Sequence, residues 1–428
     1  MATAVTEPAP AAAAAPAGRP PGELSVLGSW VNLVAAGVAY VCTNPSRAYG
    51  LGVITEPLLA DFQISRTTFG EVNFWATMVV AVLSFGFGTL VDRLGIRRSF
   101  VVVLTLLAGA TALLSAAHAV WTLFAAITLA RLLGQGVLAL VSTALLGKST
   151  PRGAPMAAAV YLLLTSVLYA GVVQLTRVGL VDNGMSWREV WLVTAGVMLF
   201  GGVPVGLFAV TEPRLQPPDR SKTWDGPDRT LWQAVRSPLF LVYGSYCLMT
   251  SASGSGIALF NESLLKDRGF GRDVFFDSLV VGILSMVVFK FAIAWLCQRW
   301  SMGKVNAIGM LLSGASLTAV PLLQTTTDVY IWSIVKALAM GVHVVVYFSI
   351  WGYAFGRRDL AQIQGAVHVL TVTGSGVGPL LFAVCRDQFG SYLPCLNAFG
   401  ALALVLGVCM LFVRVPCAEQ PAAVKEVA

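Results

Sequence analysis

The sequence predicts an all-α membrane protein whose twelve transmembrane helices form two parallel six-helix repeats. Three observations predict it. Of 428 residues, 57% are hydrophobic and only 11% charged, with a mean hydropathy of +0.77. Water-soluble domains carry about 25% charged residues. The apolar residues fall into about twelve stretches, each near the ~20 residues that a helix needs to cross a bilayer. The two halves also align at a shift of about 206 residues, which places Glu56 on Glu262, Arg66 on Arg272, Glu71 on Asp277 and Gly184 on Gly390. In lipid each backbone group must bond internally, so such stretches are helices.

Residues 1–27 are Ala/Pro-rich, without the basic start and apolar core of a signal peptide, and read as a disordered tail. Span 1 covers 29–54, with Asn44, Pro45 and Arg47 inside it. Spans 2 to 6 cover 69–91, 99–117, 120–146, 155–180 and 187–210. A proline-rich stretch of mixed charge, 211–238, reads as a cytoplasmic linker between bundles 28–210 and 239–414. Spans 7 to 12 cover 239–261, 274–297, 304–324, 328–355, 362–385 and 391–414, and 415–428 is a polar tail. An even number of spans per repeat gives both copies one orientation, about an axis normal to the membrane. Loops after even spans are net positive and loops after odd spans net negative, which puts both termini in the cytoplasm. The +7 net charge lies largely in those loops and does not mark a nucleic-acid binder. The seven cysteines form no CxxC pair, so neither a metal site nor a disulfide framework is expected.

The most specific local signal is the loop Gly88-x3-Asp92-Arg93-x-Gly95-x-Arg97-Arg98. Its glycines permit close helix approach and a tight turn. Its carboxylate and arginines can pair at the cytoplasmic face and latch one state. Here the chain resembles the major facilitator superfamily, whose loop between spans 2 and 3 has this pattern. The resemblance covers about 28–414 and implies a transporter in which spans 1, 4, 7 and 10 line a central cavity. The second copy is degenerate, with Gln298 for the acid and Ala294 for the first glycine. Tyr49-Gly-Leu-Gly52-Val53, followed by Pro57 and Ser65-Arg66, resembles span 1 of the monocarboxylate and oxalate–formate transporters. So does Phe355-Gly356-Arg357-Arg358-x-Leu360, with Gly374-Ser-Gly-x-Gly378-Pro379 after it. That family carries a span 8 cation, usually arginine, eight residues before the acid of the next loop. Lys290 stands eight before Gln298, and the resemblance implies that it meets the substrate carboxylate.

Lys290 invites the same reading on physical grounds. A lone charge in mid-membrane costs several kcal/mol unless it faces a polar cavity or a partner. Its repeat mate is Ser84, so the charge belongs to one half rather than to the scaffold. Arg47, Arg131 and Lys336 are further cations within spans, open to binding an anion, pairing with a carboxylate or bonding a broken helix. Asn44, Tyr49 and Tyr347, with Tyr169, Tyr243 and Tyr246, are candidate polar contacts or packing residues. Lys290, His343 and His368 are the candidates for handling a proton. Arg357 and Arg358 join the gating set. Glu56, Asp61, Glu262 and Asp267 look like paired catalytic acids but fall at the outer ends of spans 1 and 7, where solvated charges are ordinary.

Three departures from the resemblance bear on mechanism. Animal relatives place an aspartate where this chain has Met286. Oxalate–formate exchangers add a span 11 lysine that this chain lacks, which favours a monoanion over a dianion. The glycine–proline signature of antiporters is absent from span 5. The expected function is secondary transport of a small organic anion, a lactate- or pyruvate-like monocarboxylate moving with a proton by alternating access. A neutral-solute or drug transporter, an anion exchanger and a non-transporting sensor are the alternatives. The chain is expected to be no enzyme, to need no cofactor, and to act as a monomer in a plasma membrane, or the inner membrane of a bacterium.

Overall fold

The computed structural model describes residues 26–83, 87–149, 155–212, 229–356 and 359–415. The terminal tails, most of the linker, and Arg357 and Arg358 lie outside the described residues, as do the surroundings of Gly88 and the side chain of Asp92. The described chain is helical throughout, and eight of its helices are long and apolar enough to span a bilayer by themselves. The other spans depart for local reasons. Span 1 breaks into Val26–Cys42, the 3-10 turn Asn44–Ser46, Ala48–Gly52 and Thr55–Phe62. Pro45, which has no N–H to donate, stands in that turn. Span 2 begins as Arg66–Leu83, span 7 is the Ser-rich helix Pro238–Asp267, and span 9, Met302–Thr318, is short. Within the expected linker, Leu231–Val235 forms a helical turn capped by Thr230.

The repeat read from the sequence recurs in the backbone. Ile54 (φ −117°, ψ 1°) and its mate Phe260 (φ −115°, ψ 17°) both interrupt helical geometry at the same point of spans 1 and 7. Gln63 (φ 51°) and Gly269 (φ 86°) both turn left-handed, as do Gly184 (φ 62°) and Gly390 (φ 68°). Even the ion pairs repeat: Arg66 meets Glu56 at 2.8 Å, and Arg272 meets Glu262 at 3.0 Å.

Burial shows how the halves sit. At the end carrying the odd-numbered loops, one apolar cluster runs through both halves, from Leu51, Phe69 and Trp187 to Phe260, Phe275 and Phe382. At the opposite end, where the described chain starts and stops, the core divides. One cluster, with Phe100 and Leu138, belongs to the first half; another, with Tyr243 and Trp351, belongs to the second. Polar contacts between halves follow the same division. Arg177 of span 5 pairs with Asp273 (3.0 Å) and Asp277 (3.2 Å) of span 8. Thr67 donates to Asp387 from its N–H (3.0 Å) and its hydroxyl (2.7 Å), and Arg66 donates to Ser263 at 3.1 Å. At Gly52 a Cβ would lie 1.9 Å from the carbonyl oxygen of Ala258, so only glycine lets spans 1 and 7 cross this closely. The molecule is closed at the odd-loop end.

Candidate functional site

The break in span 1 positions the first cation. Arg47 is the hinge residue, with extended backbone (φ −101°, ψ 151°) between two helical pieces. Its Nε donates to the Thr43 hydroxyl at 2.7 Å. The guanidinium lies over the Tyr40 ring at 4.7 Å and near the Tyr49 ring at 5.8 Å. Tyr49 packs edge-on against Tyr169 of span 5 (4.9 Å), and Tyr40 against Tyr161, also of span 5 (6.4 Å). Beside the break, the Oδ1 of Asn44 is buried without a hydrogen bond.

The second cation comes from the other half. Lys290 lies on span 8, Arg272–Arg299, which packs against span 5. Tyr40 is common to both cations: it carries Arg47 on its ring, and its phenol lies within electrostatic reach of Lys290. Among the described residues, Lys290 has neither a carboxylate nor a hydrogen-bond partner, and Arg47 has no carboxylate. Spans 1 and 5 thus bring Arg47 and four tyrosines together, and span 8 adds Lys290 within electrostatic reach of Tyr40. Two incompletely neutralised cations ringed by phenols can take a carboxylate, with charge from the cations and hydrogen bonds from the hydroxyls. Tyr40 and Tyr161 are absent from the sequence-derived set. The signal for Tyr40 was its place seven residues before Arg47 in the same apolar span.

The remaining candidates lie elsewhere. Arg131 is 3% exposed, and its guanidinium is taken up inside the first half. It donates to the Asn73 side chain (2.5 Å), to the Asn73 carbonyl (3.3 Å) and to the Thr77 hydroxyl of span 2. Span 4 is π-helical over Leu132–Leu138, directly after Arg131. At Gly134 a Cβ would lie 2.4 Å from the Ser46 hydroxyl oxygen, so this glycine admits the broken turn of span 1. Lys336, the mate of Arg131, sits over the Trp332 ring at 3.9 Å. His343 is buried among Tyr243, Tyr246 and Tyr347, with ring centroids 5.5–6.1 Å away, and its Nδ1 has no hydrogen bond. His368 is exposed on span 11.

In the loop between spans 2 and 3, Gly95 (φ 83°) makes the turn. Glu212, at the end of span 6, accepts from the N–H groups of Ile96 (2.7 Å) and Arg97 (2.9 Å), and Arg97 donates to the Leu207 carbonyl. Arg93 and Arg98 are exposed. The described contacts of this loop stay within the first half.

Among known proteins, the Major Facilitator Superfamily model matches residues 36–379. The fold is similar to that of the nucleoside transporter NupG, with a TM-score of 0.71 at 12% identity over 90% of this chain and 99% of that one. It is also similar to a bacterial homologue of the human lysosomal transporter Spinster, with a TM-score of 0.65 at 14% identity over 91% and 95%. The human organic anion transporter MFSD10 gives a TM-score of 0.60 at 14% identity over 90% and 100%. No curated protein sequence matches the chain significantly.

Proposed function

The chain belongs to the major facilitator superfamily, as a multi-pass membrane transporter rather than an enzyme, and from that premise we propose that it carries a small organic anion. The observation that carries this reading is that Arg47, over the Tyr40 ring, and Lys290, within electrostatic reach of the same tyrosine, both lack a carboxylate partner among the described residues. A neutral solute gains nothing from two such charges, whereas a carboxylate offsets their desolvation. The neighbour named as an organic anion transporter agrees with this choice. A monocarboxylate moving with a proton is the finer proposal, with Lys290 and Arg47 on the carboxylate and Tyr40, Tyr49, Tyr161 and Tyr169 reading the remainder.

On the strength of loop charge, the proposal takes both termini as cytoplasmic, in a plasma membrane or bacterial inner membrane. The closed end is then the outer one, and the conformation opens inward. Arg131 braces span 4 against span 2 in this scheme, and His343 is packed among tyrosines.

Uptake of labelled lactate, pyruvate and related acids into proteoliposomes, with and without an inward proton gradient, tests the proposal. Accumulation driven by the gradient supports it. Pure protein that moves no small acid overturns it. The four tyrosines also suit a neutral solute with an aromatic ring, such as the nucleosides that the neighbour NupG is named for transporting. A thermal-shift series of acids against nucleosides separates the two.

A further inference from the structure

We propose that closing the outer end takes up a proton at Glu262, so that this carboxyl sets the pH dependence of alternating access. The inference rests on the two halves opening and closing against each other and needs no particular substrate.

Glu262 stands in the last turns of the span 7 helix, toward its outer end and two residues after the Phe260 kink. It is the least exposed carboxylate among the described ion pairs, its side chain 12% accessible. Its Oε1 lies 3.0 Å from the Arg272 Nε, but neither that Nε nor the Glu262 Oε2 makes a hydrogen bond, although both are buried. The contact is therefore charge against charge without a directed N–H. Its repeat mate differs sharply: Glu56 accepts from Arg66 Nη2 at both oxygens, 2.9 and 2.8 Å. One carboxylate of the pair is fully bonded and the other is not.

Glu262 also lies at the seam. Arg272 reaches across to the Val53 carbonyl of the first half at 3.3 Å. Ser263, its sequence neighbour, accepts from Arg66 of the first half and bonds the Tyr392 hydroxyl at 3.1 Å. The charged groups that act on Glu262 are Arg272 on span 8, Glu56 across the seam and Lys266 on its own helix. The negative charge of Glu56 opposes ionisation, and the two cations favour it.

The direction follows from linkage. When this end opens, Glu262 meets water and its ionised form is fully hydrated. When it closes, the same charge is buried with an oxygen that accepts nothing, and the protonated form is favoured. The closed state therefore binds the proton more tightly, acid stabilises closure, and rising pH promotes opening.

Amide hydrogen exchange of residues 55–70 and 262–276 in the purified full-length protein, corrected for intrinsic rates, tests this. Between about pH 5 and about pH 8, exchange in the wild type should rise several-fold as the end opens. Glu262→Gln, permanently neutral, should stay at the low acid level throughout. Glu56→Gln should raise exchange at every pH and keep the pH dependence. Should Glu262→Gln fail to fold, Arg272→Gln gives an independent reading: loss of the nearby cation should move the midpoint to higher pH. A wild type without pH dependence, a Glu262→Gln protein that keeps it, or an unmoved Arg272→Gln midpoint overturns the inference. None of these readouts uses a transported solute, so failure of the anion proposal is seen separately in the uptake assay.

Discussion

Lys290 and Arg131 show how differently two intramembrane cations can be used. Both cost free energy in an apolar helix. Arg131 recovers it through hydrogen bonds to Asn73 and Thr77, while Lys290 has no described ion pair or hydrogen bond. The two substitutions should therefore separate. Lys290→Gln should cut anion uptake at least about tenfold with an unchanged melting temperature, because no buried partner is orphaned. Arg131→Met should lower stability by about 2–3 kcal/mol, because the Asn73 and Thr77 oxygens are left buried and unpaired. Thermal unfolding in detergent beside proteoliposome uptake checks both. A destabilised Lys290→Gln protein would show that the lysine is structural.

At the level of elements, the break in span 1 and the π-helical stretch of span 4 are one device. Asn44–Ser46 can unwind in the membrane only where neighbouring protein receives the freed backbone, and Gly134 supplies the space. Arg47 owes its position to that break, since a continuous helix would not give it extended backbone. Gly134→Val should push Ser46 outward, cost about 1–3 kcal/mol, and lower apparent anion affinity by displacing Arg47. A Gly134→Val protein with normal affinity would uncouple span 4 from the site. The loop between spans 2 and 3 works as a clasp within one half, through Glu212 on the N–H groups of Ile96 and Arg97.

Across the whole molecule, a core continuous at one end and divided at the other is what two bodies rocking about a central site require. The Arg177 ion pairs at the closed end are individually weak. Arg177 is 28% exposed and its partners 36–61%, and pairs so exposed contribute little each and are screened by salt. Weak, numerous contacts suit a closure that must open in every cycle. Arg177→Gln should raise hydrogen exchange at this end a few-fold at low ionic strength. High salt should do the same to the wild type and little more to the variant. Equal salt responses in both would assign the closure to its apolar cluster alone.

The sequence by itself determined the fold class, the repeat and the cations. Apolar length, charge placement and the Glu56/Glu262 and Arg66/Arg272 register are properties of spacing, and spacing survives without coordinates. The motif Gly88-x3-Asp92-Arg93 and the match at residues 36–379 point to the same family. Tertiary structure decided which cations meet. Arg131 and Arg47 look alike in a helical sequence, yet one turns to span 2 and the other to the seam, because that depends on how spans 1, 4 and 5 pack. It also separated Glu56 from Glu262, which the repeat makes equivalent. Whether a carboxylate is satisfied depends on N–H directions within a few ångströms, and those are set only when the two halves close on each other.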